Sequence, residues 1–219
     1  MTPSLQLFVC EDDARMRAHL GRVLRLADGL VLVQDAGSAE AAQARLEALG
    51  PGAVDVLLLD LELPGMGGLE LLSRLPGPPT GPEVLILTTF ADADKVFEAM
   101  KLGAAGYLVK GVDSERLVQS IRDVATGGTV IEPRLAKRFW NLFEASRGHK
   151  DPALLGLSEA EIEVLNLVAR GLTNPEVGAT LGTTRRRVKA HLEAIYRKLG
   201  VSSRVEAVLR ATASGLVQL

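Results

Sequence analysis

Five polar residues stand at the ends of apolar runs, and their side chains have the chemistry needed for phosphoryl transfer. Glu11 and Asp12 follow the first run, Asp60 follows a later one, and Thr88 and Lys110 close two more. Clustered carboxylates repel each other unless a cation neutralises them, and hard oxygen ligands with room for water suit Mg²⁺. A carboxylate nucleophile, a divalent metal ion, a hydroxyl and a lysine together stabilise a phosphoryl group during its transfer to aspartate.

The apolar runs that precede these residues predict parallel β-strands. The predicted strands are residues 5–10, 31–36, 54–59, 84–88 and 105–109, and several are apolar throughout, as is typical of strands buried on both faces. Amphipathic helices are predicted between and after them, at residues 14–26, 39–49, 69–75, 92–102 and 114–126. Repeated β-α units predict an α/β fold with a doubly wound five-stranded parallel sheet, whose ligand site lies at the carboxyl ends of the strands.

Each of these polar residues alone also has an ordinary structural explanation. Asp12 or Asp13 could cap the next helix, Thr88 could finish a strand, and Lys110 could be a solvated charge. Functional groups at the same edge of four different strands arise by chance much less often than any one of them. The conjunction therefore favours a site around Asp60.

The β-α alternation stops after residue 126, and a different pattern begins. One more helix is predicted at residues 133–146. Residues 147–152 are charged and contain Gly and Pro, a composition typical of a linker. Further helices are predicted at residues 159–170, 175–181, 185–199 and 204–214. Ser158 with Glu161 and Thr173 with Glu176 have the spacing of capping boxes, which defines two of the helix starts. We therefore predict an α/β domain at residues 1–126, a linker with a helix at 127–155 and a small all-α domain at 156–219.

The helix predicted at residues 185–199 combines an apolar stripe with a basic amino end. The stripe is formed by Val188, Leu192, Ile195 and Leu199. Three consecutive arginines at a helix start oppose the helix macrodipole, and a negatively charged partner would offset that cost. A solvated basic face is the ordinary alternative. The pattern favours a DNA recognition helix, and the residues assigned to DNA contact on this basis are Thr183, Thr184, Arg185, Arg186 and Lys189.

Charge is distributed unevenly between the two predicted domains. The whole chain has a formal net charge of -2, yet residues 1–126 carry 11 Lys and Arg against 18 Asp and Glu, whereas residues 156–219 carry 9 against 6. A basic segment joined to an acidic one is a reason to expect nucleic-acid contact in the basic segment.

Composition argues against several other classes of protein. With 47% apolar and 24% charged residues, the chain has enough apolar surface for packed cores and is not expected to be disordered. It has no apolar stretch near the roughly 20 residues that span a bilayer and no signal-peptide pattern, so we expect a cytoplasmic protein with no membrane partner. The one cysteine, Cys10, fits a reducing compartment, and its apolar neighbours predict a buried structural thiol.

A resemblance to the receiver domain of two-component response regulators covers residues 3–126. It rests on the spans FVCEDDARMR, VDVLLLDLELPGMGGLELL, VLILTTF and GAAGYLVKG. The resemblance implies that Asp60 accepts a phosphoryl group from a partner histidine kinase. It also implies a Mg²⁺ site formed by Glu11, Asp12, Asp60 and the backbone carbonyl of Glu62. Lys110 is then the residue that pairs with the phosphoryl group, Thr88 provides the switch hydroxyl, and Tyr107 is the aromatic residue that changes rotamer. Asp13 is implied to be a helix cap. Gly111 follows Lys110 where many receivers have proline, so the cis peptide bond often found there lacks its usual proline.

A second resemblance covers residues 157–219, which are similar to the LuxR-type helix-turn-helix of the NarL/FixJ subfamily of response regulators. It rests on the span LSEAEIEVLNLVARGLTNPEVGATLGTTRRRVKAHLEAIYRKLGV. The resemblance places Lys189 and His191 in the recognition helix and Arg185 and Arg186 at its start. Arg187 departs from the pattern, in which threonine is common, and its extra charge is expected to strengthen phosphate contact. A metal-binding role for His191 is disfavoured because no other His or Cys is near it in the sequence.

Together these features predict a response regulator in which phosphorylation of Asp60 controls DNA binding, through a homodimer on half-sites about one helical turn apart. A constitutive DNA-binding regulator with an unphosphorylated receiver is the first alternative. The second is an enzyme, a haloacid dehalogenase-like phosphatase, which also uses Asp, Mg²⁺, Thr or Ser and Lys. That chemistry needs a second Asp where this chain has Glu62, and its other acids lie downstream, whereas Glu11 and Asp12 lie upstream of Asp60. We therefore expect no enzyme activity beyond self-dephosphorylation.

Overall fold

The computed structural model of the chain describes residues 4–77, 80–89, 93–130, 156–201, 203–213 and 216–217. The helix predicted at residues 133–146 and the linker at 147–152 lie outside these ranges. Within them the chain forms a domain built on a parallel sheet, followed by a helical domain.

Five parallel strands form the sheet of the first domain. They are β1 (Leu5–Cys10), β2 (Leu30–Ala36), β3 (Val56–Leu59), β4 (Glu83–Thr88) and β5 (Gly106–Val109). Their order is β2-β1-β3-β4-β5, and every neighbouring pair is parallel. The strand order reverses between β1 and β3, and such a reversal opens a crevice at the carboxyl ends of the two strands. The predicted doubly wound five-stranded sheet is confirmed.

β3 is shorter than predicted at its amino end. The prediction began at residue 54, whereas the strand begins at Val56. The Asp55 carboxylate accepts a hydrogen bond of 2.7 Å from the N–H of Gln6. The backbone of Asp55 also bonds to both neighbouring segments, its N–H to the Gln6 carbonyl at 2.8 Å and its carbonyl to the N–H of Glu83 at 3.0 Å.

Helices cover both faces of the sheet. They are α1 (Ala14–Leu26), α2 (Ala39–Leu49), α3 (Gly68–Arg74), α4 (Ala93–Lys101) and α5 (Ser114–Ala125). α1 and α5 pack on one face through residues such as Leu24 and Ile121, whereas α2, α3 and α4 pack on the other. Asp13, Ser38 and Asp113 cap the starts of α1, α2 and α5 by accepting backbone N–H groups, and the cap at Asp13 is the one that the resemblance implied.

The second domain is helical over its described residues. Its helices are α6 (Glu159–Ala169), α7 (Asn174–Thr180), α8 (Arg185–Leu199) and α9 (Arg204–Ala213). Both predicted capping boxes are present, at the starts of α6 and α7. The apolar stripe of α8 is buried in the core of this domain, as its spacing predicted. Among the residues that the structure describes, no helix has the length and apolar character to cross a membrane.

Candidate functional site

The carboxyl ends of β1 and β3 bring three acidic side chains together. β1 pairs with β3 so that Cys10 lies beside Leu59, and Glu11 and Asp60 are the next residues along the two strands. One carboxylate oxygen from each of Glu11, Asp12 and Asp60 lies within 4.8 Å of the other two. Glu11 and Asp60 are buried, whereas Asp12 is exposed. The structure therefore joins the three acidic residues that the sequence assigned to one site.

Lys110, just beyond β5, bridges two of these carboxylates. Its Nζ lies 2.7 Å from Asp60 Oδ2 and 2.7 Å from Glu11 Oε2. Burial would lower the pKa of Lys110, but the hydrogen bonds to Asp60 and Glu11 outweigh it and raise that pKa above its ordinary value. Burial raises the pKa of Glu11, and Lys110 offsets part of that effect. The ammonium therefore supplies part of the positive charge that clustered carboxylates need.

Thr88 and Glu62 lie beside Asp60 on neighbouring segments. Thr88 ends β4 and is buried, and its carbonyl accepts a hydrogen bond of 2.7 Å from the N–H of Lys110. The N–H of Glu62 donates a bond of 3.1 Å to Asp60 Oδ1, and the Glu62 side chain accepts a bond of 2.9 Å from the Thr89 hydroxyl. The backbone thus orients one oxygen of Asp60 while Lys110 orients the other.

Tyr107 lies in the core of the sheet domain. Its side chain on β5 is fully buried in an apolar cluster that includes Ile86, Val96 and Met100. The rotamer change that the resemblance implies for Tyr107 would therefore start from a ring that is already inside the domain.

Arg17 is a pocket residue that no sequence motif indicated. Its Nη1 donates hydrogen bonds of 2.7 Å to the carbonyls of both Glu11 and Asp12. The guanidinium holds the backbone segment that carries the two acidic side chains. The sequence feature that could have indicated this role is the position of Arg17 on the first turn of α1, just after the acidic run. A long cationic side chain at that position can fold back over the start of the helix.

Cys10 immediately precedes the pocket and is buried, as predicted. Burial, together with the negative charges of Asp60 and Glu11, raises the pKa of its thiol to about 12. A thiol with this pKa is protonated at neutral pH, so Cys10 is a structural residue and not a reactive one.

α8 and the residues just before it carry all the positions assigned to DNA contact. Thr184 caps the helix by accepting a hydrogen bond of 3.3 Å from the N–H of Arg187. The side chains differ in exposure: Thr184, Arg185, Arg186 and Arg187 are exposed, and Thr183, Lys189 and His191 are partly buried.

One face of α8 packs against the sheet domain. The Arg185 guanidinium donates a hydrogen bond of 2.6 Å to the carbonyl of Ala125, the last residue of α5. Lys189, one turn further along α8, lines a cavity of about 40 Å³ together with Glu83 and residues 103–105 of the sheet domain. Two of the residues assigned to DNA are therefore turned towards the sheet domain, an arrangement that the sequence did not reveal.

Contacts from α7 and α9 complete this interface. The N–H of Asn174 donates a bond of 3.2 Å to the carbonyl of Thr126, just after α5. The Ser203 hydroxyl donates a buried bond of 3.0 Å to the carbonyl of Met100 in α4, and Val205 packs against the apolar cluster of the sheet domain. The helical domain therefore contacts the ends of both α4 and α5.

Glu83, at the start of β4, presents a carboxylate to the basic side of the helical domain. Burial raises the pKa of Glu83, and the positive charges of Lys189, Arg204 and Arg185 oppose that effect without cancelling it. Burial likewise raises the pKa of Tyr196, another residue of α8 that lines the cavity. The interface thus partly desolvates Glu83 of the sheet domain and Tyr196 of α8.

Comparison with known families assigns both domains. Residues 7–122 match the family model of the response regulator receiver domain, and residues 155–211 match that of bacterial regulatory proteins of the luxR family. The chain is 30% identical over 215 residues to the transcriptional regulatory protein YdfI of Bacillus subtilis (strain 168), covering 98% of each chain. It is 33% identical over 204 residues to the nitrate/nitrite response regulator protein NarP of Escherichia coli (strain K12), covering 93% of each.

A solved structure shows similarity over nearly the same extent. The response regulator ChrA of a heme-sensing two-component system aligns with 97% of this chain and 98% of its own, at 29% identity and a TM-score of 0.51. These relatives match both domains and not one domain alone.

Proposed function

The chain belongs to the response regulators that join a receiver domain to a LuxR-type DNA-binding domain, and we propose that phosphorylation of Asp60 controls its binding to DNA. The observation that carries the proposal is the setting of Asp60. This buried carboxylate is held between the N–H of Glu62 and the ammonium of Lys110, beside two further carboxylates. In this proposal the phosphoryl donor is a sensor histidine kinase.

The groups around Asp60 have distinct tasks in the transfer. An oxygen of Asp60 forms the new bond to phosphorus while the bond between phosphorus and the donor nitrogen breaks on the opposite side. Lys110, which neutralises the carboxylate beforehand, then pairs with the phosphoryl oxygens. Thr88, buried at the end of the neighbouring strand, is positioned to donate its hydroxyl to the same group.

The donor set of the pocket fits Mg²⁺. Glu11, Asp12 and Asp60 offer hard oxygen ligands, and the exposed side of Asp12 leaves room for the water ligands that Mg²⁺ retains. The backbone carbonyl of Glu62 is the fourth protein ligand in this proposal. When bound, the ion supplies positive charge against the transferred phosphoryl group.

In this proposal, the arrangement in which the two domains are docked does not read DNA bases, because Arg185 and Lys189 face the receiver. The link from pocket to recognition helix runs through α4. Thr88 precedes the loop that leads into α4, and the carbonyl of Met100 near the end of α4 accepts the hydrogen bond from Ser203. A shift of α4 on phosphorylation weakens that contact and exposes α8.

The released DNA-binding domains act in this proposal as a homodimer on double-stranded DNA in the cytoplasm. Two recognition helices then meet half-sites about one helical turn apart. The chain serves as a phosphoryl acceptor and does not turn over a separate substrate.

Acetyl phosphate with Mg²⁺ provides the test of phosphorylation. The intact chain should gain the mass of one phosphoryl group, and Asp60→Asn should abolish that gain. Asp55→Asn is the matched control, because Asp55 precedes the same strand at its opposite end and bonds to Gln6. Footprinting of genomic fragments and sedimentation, with and without acetyl phosphate, measure DNA binding and dimer formation.

The two alternatives give different results in the same experiments. A constitutive DNA-binding regulator gains no mass and keeps the same DNA affinity and the same sedimentation. A phosphatase hydrolyses a generic phosphate ester in the steady state, with turnover abolished by Asp60→Asn. Either result would contradict the proposal.

A further inference from the structure

The carboxyl end of α5 is held directly by the DNA-binding domain. The last carbonyls of a helix have no partner within that helix and carry partial negative charge. Arg185 donates 2.6 Å to the carbonyl of Ala125, and the N–H of Asn174 donates 3.2 Å to the carbonyl of Thr126. The DNA-binding domain therefore supplies a cation and an amide to groups that otherwise need water.

Gly127 follows these two carbonyls, and there is no space beside it for a side chain. A Cβ at this position would lie 2.2 Å from Asn174 Nδ2 and 2.5 Å from Asn174 Cγ. Asn174 is buried, its N–H is bonded to Thr126, and its Oδ1 accepts a bond of 3.1 Å from Arg204. The Asn174 side chain cannot turn away without losing a partner.

From this geometry we propose that Gly127 gates the docking of the DNA-binding domain onto the receiver: docking requires that residue 127 carry no side chain, and the bond from Arg185 to the Ala125 carbonyl holds the docked domains together. The guanidinium of Arg185 is held at the end of α5 while the domains are docked, so in that state it is not available to a DNA phosphate. Release of the docked domains by phosphorylation rests on the proposed function, whereas docking is a property of the unphosphorylated chain and is measurable without DNA.

The gate depends on the missing side chain and not on backbone freedom alone. Gly127 has a φ of +81°, which disfavours other residues whatever the space around them. Gly29 has a φ of +74° and nothing within 4 Å of a Cβ built on it. Gly127→Ala and Gly29→Ala therefore carry a similar backbone strain, and only the first adds a clash between domains.

The rate at which the Lys189 amine is acetylated by a small reagent reports on docking, with exposed Lys95 as the internal reference. In the unphosphorylated full chain, Gly127→Ala should raise the Lys189 rate about tenfold, the effect of losing one hydrogen bond to a charged group. Gly29→Ala should leave the rate unchanged. Equal rates in the two variants would overturn the proposal.

A compensating substitution tests whether Asn174 is the obstacle. Asn174→Ala removes the Cγ, Oδ1 and Nδ2 atoms that a Cβ at residue 127 would meet. The double variant with Gly127→Ala should label Lys189 more slowly than Gly127→Ala alone, so the two substitutions should be strongly non-additive. Additive effects would contradict the proposed contact.

Arginine variants provide a test that involves no backbone strain. They therefore test the docking contact even if Gly127→Ala does not fold. Arg185→Ala removes the bond to Ala125, whereas Arg186→Ala removes the same charge from a neighbouring exposed residue. Lys189 labelling should rise about tenfold in the first variant and stay unchanged in the second. The same rate in both would overturn the proposal.

These results are separable from the outcome of the phosphorylation experiments. Faster labelling in Gly127→Ala, without any response of DNA binding to acetyl phosphate, supports the gate and contradicts phosphorylation control. A response to acetyl phosphate with unchanged labelling in Gly127→Ala and Arg185→Ala supports phosphorylation control and overturns the gate.

Discussion

The ammonium of Lys110 lies 2.7 Å from Asp60 Oδ2, although 50 positions separate the two residues in the chain. β4 lies between the strands that carry them, and both strands end at the same edge of the sheet. The carboxylate is therefore paired with a cation before any phosphoryl group arrives.

Removal of this cation should destabilise the receiver. Lys110→Ala should lower the free energy of unfolding by about 3 kcal/mol, because it leaves buried Asp60 and Glu11 without their partner. Mg²⁺ should recover part of the loss and should stabilise the variant more than the parent chain. Urea unfolding with and without Mg²⁺ measures both effects. Lys95→Ala removes an exposed cation and should change the free energy of unfolding by less than about 0.5 kcal/mol.

Exposed arginine at the start of α8 should contribute to the salt dependence of DNA binding. Arg186→Ala should weaken the phosphorylated chain's binding and reduce the slope of log affinity against log salt concentration by about 1, because fewer counterions are released. Fluorescence anisotropy over a range of salt concentrations gives the slope. Arg22→Ala, at an exposed site on α1, should leave it unchanged. A weaker affinity with an unchanged slope would argue against a phosphate contact by Arg186.

The docked arrangement should lose stability as pH rises through the pKa of Glu83. Burial raises that pKa in the folded chain, so the contribution of the neutral carboxyl is fully present below the ordinary glutamate value and is lost at higher pH. Glu83→Gln keeps the group neutral and should raise the melting temperature at neutral pH, with no difference below about pH 4. Thermal unfolding across pH measures this. Glu47→Gln, on the exposed surface of α2, should show no such trend. A lower melting temperature for Glu83→Gln at neutral pH would mean that attraction between ionised Glu83 and its cationic neighbours outweighs the cost of burying its charge.

Glu161 should show the opposite dependence on pH. Burial would raise its pKa, but Lys198 at 2.7 Å and the N–H of Ser158 at 2.7 Å bring it below the ordinary value. The ionised group therefore stabilises the fold above the ordinary glutamate pKa, and this stability is lost as pH falls through the lowered pKa. Glu161→Gln should cost about 1.5 kcal/mol at neutral pH and less in acid. Urea unfolding at several pH values checks this against Glu163→Gln, an exposed neighbour on α6 that should have little effect.

The receiver pocket was predictable from local patterns. Parallel β-α units place every carboxyl strand end at one edge of the sheet, so Asp60, Thr88 and Lys110 had to approach each other once the strands were identified. The short apolar runs, separated by amphipathic helical patterns, were enough to identify the strands. Arg17 was missed because its contacts are with carbonyls of the backbone, which no side-chain pattern marks.

The individual helices of the DNA-binding domain were predictable for a similar reason. The apolar stripe of α8 packs within its own domain, and such a stripe follows the helical period. The predicted bounds of α8, residues 185–199, agree with the structure. Capping boxes marked the starts of α6 and α7 because they are formed by residues three positions apart.

By itself, the sequence determined the two folds and the membership of the acidic pocket, because periodicity and strand ends are local properties. Only the tertiary structure decided that Arg185 binds Ala125 and that Gly127 must lack a side chain beside Asn174. A helix face that contacts another domain carries the same charged residues as a face in solvent, so its pattern does not distinguish them. The contact depends on how two separately folded domains are placed, and that placement comes from a few bonds between residues distant in the chain.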